Sequence, residues 1–176
     1  MKYIAFLSMI FLFSCSQPAT QTKIAFGSCG SQDEPSPVLA LAADYKPDAF
    51  IYLGDNIYGD TDVMDTLRAK YARLGAKPEF QKLLSSTKIF AIWDDHDFGR
   101  NDAGKHYPYQ KEAKEIFLDF FKEPANSSRR KHEGIYHAEY LKFGNKTLQI
   151  ILTDNRTFRN DLLLYDTLTK YPRDHY

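Results

Sequence analysis

With only two cysteines among 176 residues, Cys15 and Cys29, the chain has no basis for a disulfide framework. Lys plus Arg and Asp plus Glu number 23 each, so there is no charge surplus to drive nucleic-acid binding. Internal repeats and low-complexity tracts are absent, as is any run in which alternating aspartates and a glycine are followed by the glutamate of an EF-hand. The apolar run at residues 3–13 is short of the roughly 20 residues a spanning helix requires. What remains is a hydrophobic fraction of 43% and an aromatic fraction of 15%, the composition of an ordinary globular protein with enough chain for one core.

That short apolar run follows Lys2 and ends in Leu12-Phe13-Ser14-Cys15, a pattern that suits a secretory signal and is similar to a bacterial lipobox. Residues 1–14 are then a signal peptide, Cys15 the lipidated first residue of the mature chain, residues 15–22 a polar tether and residues 23–176 the folded part. The alternatives are an ordinary signal peptide cut nearby or an N-terminal helix. The lipobox reading makes the protein an exported lipoprotein, periplasmic or on the outer membrane or cell surface, with the lipid as its membrane contact. Cys29 is left without an intramolecular partner, as a small buried hydrophobe or a functional thiol.

Two stretches organise the rest. Ala49-Phe50-Ile51-Tyr52-Leu53 runs into Gly54-Asp55, and Ile89-Phe90-Ala91-Ile92-Trp93 runs into Asp94-Asp95-His96-Asp97. Each reads as a strand buried on both faces that ends abruptly in carboxylates. Carboxylates gathered at one sheet edge raise one another's pKa unless a cation sits among them, and a metal is the economical choice. A first strand at 23–26 ends at Cys29; Ser36 and Pro37 start a helix over 38–45 that leads to the second strand, forming a βαβ unit. Further helices are predicted over 62–74, with Gly75 as the stop, over 79–84 and over 109–121. Residues 124–133 read as a surface loop in which Arg129, Arg130 and Lys131 form a solvated face. A hairpin, 136–143 and 147–152 around Gly144-Asn145, delivers Thr153-Asp154-Asn155-Arg156.

Tyr58 binds a metal only if a strong Lewis acid displaces its proton, because a phenol titrates near about 10; Fe(III) does this. Asp55 can bridge two ions, and Asp94 and Asp95 supply hard oxygen ligands from a facing loop. Two metals about 3.5–4 Å apart suit phosphoester hydrolysis.

Phe26-Gly27-Ser28-Cys29, Leu53-Gly54-Asp55-Asn56-Ile57-Tyr58, Trp93-Asp94-Asp95-His96-Asp97 and Leu152-Thr153-Asp154-Asn155-Arg156 together resemble the PhoD-like alkaline phosphatase/phosphodiesterases, a branch of the calcineurin-like metallophosphatases. The resemblance implies an α/β fold, a β-sheet sandwich flanked by helices, and hydrolysis of phosphate mono- or diesters. It implies an Fe(III) set of Cys29, Asp55 and Tyr58, with Asp55, Asp94 and Asp95 also serving Ca2+ or another divalent metal. His96 would hydrogen-bond the phosphate or its leaving oxygen. Arg156 would brace the phosphate or form a local ion pair, and Asp97 would hydrogen-bond a ligand rather than bind metal itself. Asp60, Asp62 and Asp154 are expected in turn, cap and supporting roles. Family members often carry Asn at the position of Asp94, and they complete their site with histidines from a later set of strands for which this sequence offers no counterpart. The chain therefore resembles the N-terminal half of the family fold, with one sheet face expected to lie uncovered and the chain alone expected to be inactive. The rival reading is a non-enzymatic exported lipoprotein that keeps a metal-binding half-fold.

Overall fold

The structure, a computed structural model, describes residues 21–162. The proposed signal peptide, Cys15 and His175 lie outside them.

Apolar side chains on both faces of a strand require cover on both faces, and the fold supplies it as three layers. The middle layer is a parallel sheet in the order β1 (Ile24–Gly27), β2 (Ala49–Leu53), β3 (Lys88–Ile92), with Phe26 opposite Ile51 and Ile51 opposite Phe90. Phe50, Tyr52, Ala91 and Trp93 face a helical layer made by α1 (Pro37–Tyr45), α2 (Met64–Ala76), α3 (Pro78–Ser86), α4 (Asp95–Phe98) and α5 (Gln110–Phe120). Ala49, Ile51 and Phe90 face the other way, onto Leu141 and Leu152 of the antiparallel hairpin β4 (His137–Phe143) and β5 (Lys146–Leu152). The expectation of an uncovered sheet face is thus corrected for β2 and β3, because the hairpin packs against them. Apolar exposure is instead peripheral: Phe26 on the edge strand, Val38, Leu41 and Tyr45 on α1, and Ile151 on the outer side of the hairpin.

Three further expectations are corrected. Gly75 does not stop α2 but lies inside it, where a Cβ would come 3.2 Å from the Phe120 ring; the missing side chain lets α2 and α5 approach closely. Asp95, expected on a loop, opens the four-residue α4, whose N-cap Asp94 and N3 residue Asp97 bond each other's backbone N–H groups. Arg129 is not solvated: it is 4% exposed, and its guanidinium donates to the carbonyls of Ala91 and Ile135 at 2.8 Å each while lying over the Phe117 ring. It fastens the loop after α5 to the back of β3.

Candidate metal centre

The ends of β1, β2 and β3 share one edge of the parallel sheet, the edge at which open α/β sheets present ligands. Cys29 N–H donates to the carbonyl of Gly54 (3.3 Å) and Gly30 N–H to that of Asp55 (2.9 Å), which ties the β1 loop to the β2 turn. The turn is tight for a steric reason. At Gly54, φ is +104°, and a Cβ there would meet the Asp94 backbone nitrogen at 2.8 Å. Cys29, Asp55 and Asp60 also hold positive φ, at 57°, 50° and 44°. Left-handed backbone at non-glycine residues costs about 1–2 kcal/mol each and persists where surrounding bonds hold it, so its concentration here points to a function at this edge.

The side chains converge. Cys29 Sγ lies 3.6 Å from Asp55 Oδ2. Burial raises the Tyr58 phenol pKa, and the neighbouring Cys29 and Asp55 raise it further. Asp55, Asp95 and His96 each offer one ligand atom, all within 4.8 Å of one another. Oxygen ligands 2.3–2.6 Å from a calcium ion reach up to about 5 Å apart, so the Asp55 and Asp95 oxygens are spaced to share Ca2+, whereas a histidine nitrogen suits zinc or a transition metal. Asp55 Oδ1 is buried with no hydrogen-bond partner among the described residues. Burial and then the Asp95 and Asp94 charges raise the Asp55 pKa, with His96 opposing. A carboxylate oxygen enclosed without a donor, among other carboxylates, fits a bound cation.

His96 is held from behind. Its Nδ1 is 2.7 Å from Asp60 Oδ1, and its ring packs on Tyr58 at 4.4 Å between centroids. Burial disfavours the imidazolium, but the Asp60 bond and the nearby carboxylates win, and the pKa rises above the ordinary histidine value. Asp94 has a different setting from Asp95: it caps α4 and pairs with Arg156 Nε, while Arg156 Nη2 reaches Asp95 Oδ1 at 3.1 Å. Arg156 is therefore in a local ion pair with both acids.

Support comes from residues set behind the edge. Asp97, fully buried, accepts from Asn56 N–H (3.1 Å), Asn56 Nδ2 and Asp94 N–H. Burial pushes its pKa well up, against the pull of those donors. Asp154 accepts from Trp93 Nε1, the N–H groups of Ile135, Arg156 and Thr157, and the Thr157 hydroxyl. Those bonds outweigh its burial and lower its pKa. Sequence reasoning gave Asp60 only a turn or supporting role and missed Gln32 and Lys70 altogether. Buried Gln32 accepts from Tyr58 N–H at 2.8 Å, and Lys70 Nζ donates to the carbonyls of Tyr58 (2.9 Å) and Gly59 (2.7 Å). Nothing local marks these two as partners of a turn 11 to 26 residues away. His132 and His137 stay outside the cluster, and burial, then Arg129, lowers the His137 pKa to about 4.

Neither a protein-family model nor a curated protein sequence matches the chain. Among solved structures, one titled "Structure of PhoD" is similar over 80% of this chain, with a TM-score of 0.64 and 17% sequence identity. The chain has a mixed α/β fold of the PhoD kind and spans 32% of that structure's chain. At that identity the likeness carries the fold alone.

Proposed function

We propose that this chain forms one side of the active site of a metal-dependent hydrolase of phosphate mono- or diesters. The observation that carries the reading is the grouping of Asp55, Asp95 and His96 at the carboxyl edge of the parallel sheet, with Cys29 against Asp55 and the Tyr58 ring against His96, around a buried carboxylate oxygen without a donor among the described residues. Cys29, Asp55 and Tyr58 would hold Fe(III), and Asp55 with Asp95 a neighbouring Ca2+ or other divalent ion, with Asp94 beside it and His96 left to hydrogen-bond the phosphate. When bound, the ions supply charge stabilisation for the phosphoryl oxygens and an acidified water.

The protein's own groups do the positioning. Asp60 holds Nδ1 of His96, which leaves Nε2 to donate to a phosphate oxygen. Arg156 is immobilised through Nε and Nη2 by Asp94 and Asp95, and its Nη1 remains to meet a phosphate oxygen. Export as a lipoprotein anchored at Cys15 would place this chemistry outside the cytoplasm, where phosphoesters are free solutes or envelope components.

The test is hydrolysis of a chromogenic phosphate monoester and diester by the protein purified from its native source with its metals. Turnover is expected to vanish on chelation and return with added metal, and Arg156→Gln is expected to lower kcat by about 100-fold, the scale set by loss of one charge-stabilising donor. Protein that hydrolyses neither ester, or is indifferent to chelator, contradicts the proposal.

A further inference from the structure

Between β1, β2, α1 and α2 lies a partly open pocket of about 100 Å³, walled by Phe26, Val38, Leu39, Phe50, Tyr52 and Leu74. Asp55 and Asn56, from the turn after β2, line it as well, so the pocket is continuous with the metal centre through Asp55. Whole ligands occupy about 300–1,000 Å³ and a benzene ring about 150 Å³ of cavity, so an open space of this size suits one side group of a larger molecule.

Gly27 keeps the space open. It lines the pocket from β1, opposite Tyr52, and its φ is not positive. A Cβ built on it would meet only the Phe50 ring, at an ordinary contact distance of 3.5 Å. Glycine inside a strand weakens it and leaves nothing to pack, and it often marks a place where a ligand comes close. Here neither backbone conformation nor close packing requires glycine; what it provides is the hollow. The pocket also differs from a packing void. Tyr52 OH and Asn56 Oδ1 are buried and find no hydrogen-bond partner among the described residues. Empty voids are lined by apolar atoms, whereas unpaired polar atoms mark a space that ligand or water enters.

We infer that this pocket takes a small apolar group, a single ring or a branched alkyl, on the ester arm of the substrate nearest Asp55, with Gly27 setting the size limit. The inference rests on the phosphoesterase reading for its place in the reaction, and it narrows the substrate to esters that carry such an arm. A methyl ester leaves the pocket unfilled.

The first measurement is a fluorine NMR titration of the full chain, metal-free in chelator, with fluorobenzene. A saturable shift or broadening is expected, and Gly27→Val should weaken it at least about tenfold, because the valine side chain occupies the hollow. Gly27→Ala, which adds only the Cβ that Phe50 accommodates, keeps the test readable if valine disturbs β1, and should weaken binding about threefold. Ile151→Ser, on the exposed outer side of the hairpin, should leave binding unchanged, which separates the pocket from general apolar surface. The second measurement compares phenyl and methyl phosphate diesters as substrates of the metal-loaded protein. Gly27→Val should lower the phenyl-to-methyl ratio of kcat/KM by about tenfold, the scale of a lost apolar contact in a specificity pocket. Absence of saturable binding, binding that both Gly27 variants leave intact, or an unchanged phenyl-to-methyl ratio overturns the inference. Binding by a protein that hydrolyses neither ester upholds the pocket and removes only the phosphoesterase reading.

Discussion

Asp55→Asn is expected to weaken cation binding at the sheet edge by at least about 100-fold, close to 2.7 kcal/mol, while raising the melting temperature of the metal-free protein. The two effects have one cause. Asp55 Oδ1 is enclosed without a donor, and the Asp95 and Asp94 carboxylates stand near it, so ionised Asp55 disfavours the metal-free fold. Its folded pKa is raised, which means the fold binds this proton more tightly than the unfolded chain does. Stability from this group is therefore greatest at low pH and falls as pH rises through its folded titration range. The amide removes that penalty, tolerates the positive φ of 50° at this position, and removes the charge a cation needs. Isothermal titration with Ca2+ and thermal melts in chelator across pH measure both. An Asn variant that binds cation like the parent, or melts lower at neutral pH in chelator, contradicts the role assigned to Asp55.

Arg129→Ala is expected to destabilise the fold by about 3–5 kcal/mol, a large part of the 5–15 kcal/mol that holds a typical domain together. The substitution strands the carbonyls of Ala91 and Ile135 and leaves Glu123, which faces the guanidinium at 3.4 Å, without its partner. Two residues along, exposed Lys131→Ala is expected to shift stability by no more than about 0.5 kcal/mol. Urea unfolding of the pair gives the comparison as a change in midpoint. Equal midpoints would mean that Arg129 is not the fastening of the loop to β3.

The contrast between these neighbours shows where the sequence could be read. Strands β2 and β3 were legible because a five-residue apolar run ending in Gly-Asp or Asp-Asp suits a buried strand and little else, and the order of four strand-end motifs made the shared edge legible too. Arg-Arg-Lys at 129–131 looks solvated because nothing local shows that carbonyls from β3 and from Ile135 come to meet Arg129. Gly75 looks like a stop because its neighbour Phe120 lies 45 residues away in α5. The capping pair Asp94 and Asp97 that starts α4 was present in the sequence as Asp-x-x-Asp, yet four residues are too few for periodicity to register. At the site, chemistry alone selected Asp55, Tyr58, Asp94 and Asp95. It could not tell that His96 would join Asp55 and Asp95 while Asp94 turned to Arg156, since that division depends on one residue's rotation around the first turn of α4.

The most direct test of the centre is titration of the purified chain with Fe(III), followed by visible absorption. Burial and the adjacent Cys29 and Asp55 hold the free Tyr58 phenol above its ordinary pKa, so the metal-free protein should be colourless with a neutral phenol. Iron bound among Cys29, Asp55 and Tyr58 would displace that proton, and a phenolate-to-iron charge-transfer band is the predicted result, saturating at one iron per chain and abolished in Tyr58→Phe. A chain that binds iron without colour, or a band that survives Tyr58→Phe, would contradict the assignment of this sheet edge as an iron-binding metallohydrolase centre.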